Sequence, residues 1–340
     1  MNLRYILFAS LAFAITYIIT PFIMRVALEI GAFDHPEERR VNKTSVPNIG
    51  GLAIFVGFIT AFVFSEELSR EMLGIILGGT LMLIMGFVDS IVGLKALPKL
   101  ISQVIGALVL ISFGVKIDIL SNPIDGVYAL GDLSVPLTII WVVGMTNVIN
   151  FIDGLDGLAA GIVSISSGVL AVIAFLTGRP EILPMAMYLG ASSLAFLRYN
   201  YHPAQIFMGD AGSQFLGFVL AGMAILGTLK SAAFISLLIP ILAVGVPIID
   251  TALVVLKRAK NKQKVYLADR EHLHHLFLGQ GYDQKKAVLM MYALNLILGV
   301  VAIISTQVTK TQSIFLFVLA VLFMISIRNV TFKTKKEIKK

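Results

Sequence analysis

Asn147, Asn150, Asp153 and Asp156 stand three residues apart in the stretch NVINFIDGLDG, surrounded by a chain of mostly Leu, Ile, Val, Phe and Ala. Residues three apart are neighbours on a helix, so the spacing predicts a slowly rotating polar stripe at a helix end. Gly154 and Gly157 would let a ligand approach the backbone there. Such oxygen donors suit a hard cation, because magnesium takes one or two protein oxygens and completes its shell with water and phosphates. Asp210, in FMGDAGS, is a second candidate ligand, although it would equally suit a helix N-cap. Asp89, after GFV, is a third carboxylate or a plain interface residue. A cationic set accompanies them: Lys95, Lys99, Arg39, Arg40, Lys43, Arg270 and the histidines His272, His274 and His275 of HLHH. Three histidines in four residues can hold zinc. Here the loop is basic, the chain has no Cys, and Glu271 precedes His272 instead of completing an HExxH pattern. Carboxylates holding magnesium opposite Lys, Arg and His form the constellation expected for phosphoryl transfer.

These residues need elements to hold them, and composition says which. Of 340 residues, 57% are hydrophobic and 14% charged, against about 25% charged in a soluble domain. Runs such as SIFLFVLAVLFMISI are close to the roughly 20 residues that cross a bilayer. The expected fold is therefore an all-α polytopic membrane protein, one transmembrane domain over residues 1–340. Cutting at polar interruptions predicts about eleven spans: 3–28, 50–64, 71–88, 100–115, 135–151, 158–177, 182–198, 213–229, 232–256, 287–306 and 312–328. The first run is too long for a secretory h-region and reads as a retained span. Segment 116–134, with NP, DG and GD turns, predicts a hairpin-like external loop.

Basic residues set the expected orientation. If alternate connections share a side, one side carries all of the 27 basic residues except Arg4, Arg70, Lys116, Arg179, Lys230 and Lys310. That side is expected to be cytoplasmic, with the amino terminus outside and the carboxyl terminus inside. It would carry the basic loop 257–286 with HLHH and the basic tail 329–340, whose lysines attract anionic lipid. No nucleic-acid partner is expected from a positive balance of this origin. The five histidines all lie outside the longest apolar runs and are expected to face water and ligand. Every unusual polar cluster also falls on the same side, which argues for one cytoplasm-facing active site.

At these residues the sequence resembles the polyprenyl-phosphate N-acetylhexosamine-1-phosphate transferases, from about Asp34 to Tyr282. The shared motifs, in order, are DHP…R…P…GG, a GxxD segment ending the third span, NxxNxxDGxDGLA, GDxGS and HLHH. The resemblance implies that a lipid phosphate attacks the sugar-bearing phosphorus of a UDP-N-acetylhexosamine and releases UMP. It implies Asp210 and Asn150 as magnesium ligands, with manganese as a substitute, and Lys99 and the histidines as partners of the pyrophosphate. Asp153 and Asp156 would line the nucleotide and metal region, and Asp89 would orient the lipid phosphate or accept its proton. Asn147, Arg40, Lys43 and Arg270 are expected to bind substrate. Where the family usually has an Asp-Asp pair, this chain has Asp89-Ser90, which bears on any role needing the second carboxylate. The compact HLHH loop looks more like the UDP-GlcNAc branch than the muramyl-pentapeptide branch. The expected partners are then UDP-GlcNAc, undecaprenyl phosphate and membrane lipid, in a bacterial cytoplasmic membrane, and a homodimer is compatible with the sequence. A secondary transporter would place its carboxylates near the midplane of echoing halves, and no repeat is present. A CDP-alcohol phosphotransferase would carry an Arg soon after DGxxA, where this chain has Gly161.

Overall fold

The computed structural model describes residues 3–34, 45–65, 68–121, 127–228, 235–262 and 272–338. The protein is an all-helical membrane protein apart from two short hairpins. Its helices are α1 (Leu3–Ile30), α2 (Gly51–Ser65), α3 (Arg70–Val92), α4 (Ala96–Ser112), α5 (Ser134–Ile152), α6 (Leu158–Leu176) and α7 (Leu183–Asn200). They continue as α8 (Gly209–Thr228), α9 (Ile235–Ala243), α10 (Gly245–Lys260), α11 (Leu273–Gly279), α12 (Gln284–Ser305) and α13 (Lys310–Ile338). Among the described residues seven segments are long and apolar enough to cross a bilayer, and Gly51–Ser65 and Ala96–Ser112 are shorter apolar helices.

Within the described residues each of the eleven apolar segments coincides with helix, but the described part of 232–256 is broken into α9 and α10. Pro247 has no N–H to donate to the carbonyl four residues back, and its ring crowds that turn. In lipid the freed backbone needs another partner, and the Asn295 side chain on α12 accepts from Val246 N at 3.4 Å. Helix also continues through the basic tail as far as Ile338.

The bundle is built around α8. Residues 211–226 are buried without exception, and α8 packs on α2, α3, α5, α6 and α9. By contrast α1 and α13 show large apolar side chains outward, among them Ile18, Phe22, Phe315 and Leu322, as a lipid-facing surface requires. Small residues let the inner helices approach closely. A Cβ on Gly86 of α3 would collide with the backbone of Ala211 at the start of α8. That contact sits one turn from Asp89 and next to Asp210, so it sets the spacing of two candidate site residues.

The two ends of the bundle differ. At one, Arg4 donates to the Ser65 carbonyl at 3.2 Å and Arg70 to the Ser112 carbonyl at 3.0 Å. The same end carries the antiparallel hairpin β3 (Ile119–Ser121) and β4 (Val127–Ala129), anchored where Ile117 N donates to Thr138 Oγ1 at 2.9 Å. At the other end lies the second hairpin, β1 (Phe33–Asp34) with β2 (Val46–Pro47), beside the polar motifs. Gly50 N and Gly51 N donate to the Phe207 and Met208 carbonyls there, both at 2.9 Å, joining the start of α2 to the start of α8.

Gly86→Ala should lower stability by about 1–3 kcal/mol, the usual cost of overpacking. Gly144→Ala, whose Cβ would meet nothing within 4 Å, should leave stability unchanged or slightly higher. Thermal unfolding of both variants in detergent checks this, and equal unfolding temperatures would contradict the packing described.

Candidate active site

Three helix ends converge on one ammonium group. α3 closes at Gly93, whose left-handed backbone (φ 69°) turns the chain and returns its N–H to the Asp89 carbonyl at 2.8 Å. The Asp89 side chain accepts from Leu94 N at 2.6 Å through Oδ1, while Oδ2 pairs with Lys99. Lys99 lies in the first turn of α4, and its Nζ also meets Asp210 Oδ2 at 2.8 Å. Asp210 opens α8, where the positive end of the helix favours an anion. Its Oδ1 accepts from Asn150 Nδ2 at 3.2 Å, and the same Nδ2 lies 2.8 Å from Ser213 Oγ. Asp89, Lys99, Asn150 and Asp210, four residues singled out by sequence, therefore form one cluster.

A histidine layer borders it. The His272 and His274 rings stack at 5.8 Å and 7°, with His272 6.2 Å from Phe151. A Cβ on Gly154 would lie 3.4 Å from His274 Nε2, so the layer faces the α5–α6 turn that carries Asp153. Contrary to the expectation of water-facing histidines, His272 and His274 are buried. Neither ring nitrogen of His274 has a hydrogen-bond partner among the described residues. Burial, reinforced by His275 and His272, holds the His274 pKa well below the usual imidazole value, so at neutral pH the ring is uncharged and keeps one donor and one acceptor. Arg270, Arg40 and Lys43 lie outside the described residues.

The regular stripe of four polar residues does not form. α5 ends at Ile152 and leaves only Asn147 and Asn150 on a helix. Asn147 Nδ2 donates to Gln103 Oε1 at 2.8 Å, and the Gln103 amide returns toward Asn147 Oδ1 at 3.5 Å. That reciprocal pair ties α4 to α5. Asp156 turns inward and accepts from His202 Nδ1 at 2.7 Å and Ala204 N at 3.1 Å. Asp156 is buried and is part of the scaffold under the turn. Asn200 completes that scaffold, accepting from Gly157 N at 3.1 Å and donating to the Ile206 carbonyl at 2.9 Å. Asp153, just past α5, stays with the cluster. Burial, then the charges of Asp210 and Asp156, push its pKa up to about 7. Ser90, beside Asp89, donates to the Gly86 carbonyl at 3.0 Å and serves its own helix.

Sequence reasoning missed Gln103 and Asp250. Asp250 is a buried carboxylate on α10 that meets His272 Nδ1 at 2.9 Å. A lone acidic residue in the apolar run 232–256 was the available signal, since intramembrane carboxylates are rarely idle.

The family model for glycosyl transferase family 4 matches residues 72–228, which include Asp89, Lys99, Asn150, Asp153 and Asp210. A Bacillus subtilis (strain 168) protein named "Probable undecaprenyl-phosphate N-acetylglucosaminyl 1-phosphate transferase" is 39% identical over 316 residues, 92% of this chain and 88% of that one. The chain belongs to glycosyl transferase family 4. A second member, the decaprenyl-phosphate N-acetylglucosaminephosphotransferase of Mycolicibacterium smegmatis, is 34% identical over 82% of this chain and 76% of its own. The phospho-N-acetylmuramoyl-pentapeptide-transferase of Lactiplantibacillus plantarum is 32% identical over 77% and 84%.

Asp210 and Asn150 carry oxygen donors of the kind that magnesium takes. Asp210 offers a carboxylate that is one-third exposed. The Asn150 amide, with its NH2 given to Asp210 and Ser213, has its oxygen as the atom for a cation. One carboxylate and one amide are too few to enclose an ion, and phosphates and water supply the rest in sites of this kind.

Asp153 gives a pH signature. Its folded pKa of about 7 lies above the unfolded value of about 3.9. Its contribution to stability is therefore fully present below the unfolded value and is lost as pH rises through about 7. The wild-type unfolding temperature should fall between pH 5 and pH 8 by more than that of Asp153→Asn; parallel falls would contradict the placement of this carboxyl.

Proposed function

We propose that the protein transfers N-acetylglucosamine 1-phosphate from UDP-GlcNAc to undecaprenyl phosphate, giving undecaprenyl-pyrophosphoryl-GlcNAc and UMP. The observation that carries this reading is the Asp89–Lys99–Asp210 cluster at one end of the bundle. It assembles motif residues in a chain 39% identical, across most of its length, to a relative named for this transfer. The relatives named for N-acetylglucosamine, at 39% and 34% identity, favour that sugar over the muramyl pentapeptide, whose named transferase stands at 32%.

In the proposed reaction an oxygen of the lipid phosphate forms a bond to the sugar-bearing phosphorus as the bridging P–O bond to UMP breaks. A phosphate monoester has its second pKa at about 6, so the nucleophile is largely ionised without a strong base. Both Asp89 oxygens are engaged, one by Leu94 N and one by Lys99. That suits an orienting carboxylate in a single displacement better than a covalent phospho-aspartate. Lys99 places positive charge where the pyrophosphate would lie, and neutral His274 can meet a phosphate oxygen through its N–H. Magnesium held by Asp210 and Asn150 would add neutralisation of the pyrophosphate charge.

The bundle is read as eleven crossings, counting the short helices and the broken α9–α10 pair as membrane elements. The site then faces the cytoplasm of a bacterium, with the amino terminus outside and the carboxyl terminus inside. The product would begin a cell-envelope glycan such as a teichoic acid or O-antigen.

UMP release by the purified protein from UDP-GlcNAc and undecaprenyl phosphate should depend on magnesium and should not occur with UDP-MurNAc-pentapeptide. Release from the muramyl donor alone would overturn the sugar assignment, and release from neither would overturn the reaction.

A further inference from the structure

We infer that Arg328, on the last helix, is a positioning residue for the histidine motif and acts through Asp250. The inference rests on the proposed function only in giving His272 a phosphate-bearing donor to meet.

α11 has seven residues, far below the length at which a helix holds itself in water, so its orientation must come from what it is tied to. Asp250 holds its start. Oδ2 of that carboxylate accepts from His272 Nδ1 at 2.9 Å and from Leu273 N at 3.1 Å. α13 holds Asp250 in turn: Arg328 Nη1 lies 3.1 Å from both the Asp250 carbonyl and Oδ1. The far end of α11 is tied to the same helix, with Gln280 Nε2 donating to the Thr331 carbonyl at 3.0 Å. The last helix thus grips the histidine helix at both ends.

The chemistry of the relay is directional. A carboxylate only accepts, so the His272 nitrogen facing Asp250 carries the proton, and Nε2 is the atom presented on the other edge of the ring. That ring lies beside Phe151, the neighbour of Asn150, and over His274. The Asp250 side chain is 1% exposed and that of Arg328 12%. An arginine serving only as an interfacial anchor would extend its guanidinium to water; this one is spent on a buried carboxylate. Removing it leaves that carboxylate without its cation, which is costly in such surroundings, and loosens the ring it holds.

Full-length Arg328→Ala in lipid nanodiscs should lose about tenfold or more in kcat/KM for UMP release, the usual scale for groups that orient a functional histidine. Its unfolding temperature should also fall, because Asp250 stays buried without that partner, and Arg328→Lys should recover part of both losses. Adding Arg328→Ala to His272→Ala should cost nothing further, because the relay ends at that ring. An equal fold-loss in both backgrounds would show a general structural role and overturn the inference. A readout independent of turnover is the 15N spectrum of histidine-labelled protein, with His272 assigned by its loss in His272→Gln. The Nδ1–H signal of His272 should shift in Arg328→Ala, and in Arg328→Lys if the alanine variant does not fold; an unmoved signal overturns the inference. Absence of UMP release by the wild type would count against the proposed function alone, since the ring signal still decides the positioning.

Discussion

The ammonium group of Lys99 stands between the carboxylates of Asp89 and Asp210, and the site depends on that placement. Two like charges about 4 Å apart repel by about 4 kcal/mol at an effective dielectric constant near 20. Without a cation between them, one of the two carboxyls would have to take up a proton for the ends of α3 and α8 to stay together. The lysine sits in the first turn of α4 because Gly93 reverses the chain immediately after α3. The two helix ends joined by that turn therefore supply a carboxylate and its counter-ion, and α8 supplies the second carboxylate.

The hydrophobic bundle exists, from this viewpoint, to bring the ends of α3, α4, α5 and α8 to one level. Small residues do this on the inner helices: Gly86 of α3 meets the Ala211 backbone, and Gly51 of α2 meets Gly212. Side-chain hydrogen bonds hold the remaining spacings, between the Gln103 and Asn147 amides of α4 and α5, and from the Asn295 amide of α12 to the Ser166 hydroxyl of α6. In a medium without competing water, such pairs help fix helix register where apolar contact alone is permissive. The histidine helix is the exception, since it is too short to carry its own position and takes it from α10 and α13.

Much of this was legible in the sequence. Apolar run length located the helices, because a bilayer demands about 20 residues of hydrocarbon-compatible chain and little else. Motif spacing located Asp89, Lys99, Asn150 and Asp210, because ionisable groups are too costly in lipid to be scattered. The stripe through Asp156 failed because periodicity was carried past Ile152, where α5 stops and the chain enters a glycine-containing turn. Asp156 then meets His202, a contact between segments that spacing cannot encode. The same limit hid Asp250 and Arg328. Each looked like an isolated charge in its own segment, and only tertiary packing makes them partners. Pro247 was visible, yet a window of average hydropathy passes over one proline, so α9 and α10 read as a single span.

The chemistry follows from charge placement more than from a reactive side chain. In the proposed reaction the lipid phosphate is already an anion, the donor carries a pyrophosphate, and the task is to let them approach. Lys99 is the described residue best placed to do so. The most direct test is therefore turnover and thermal unfolding of Lys99→Met beside the wild type. A loss of about 100-fold or more in kcat/KM, on the scale of removing a preorganised charge-stabilising group, with the fold retained, is the result this account predicts. Turnover within about threefold of the wild type, below even the modest end of such effects, would contradict it.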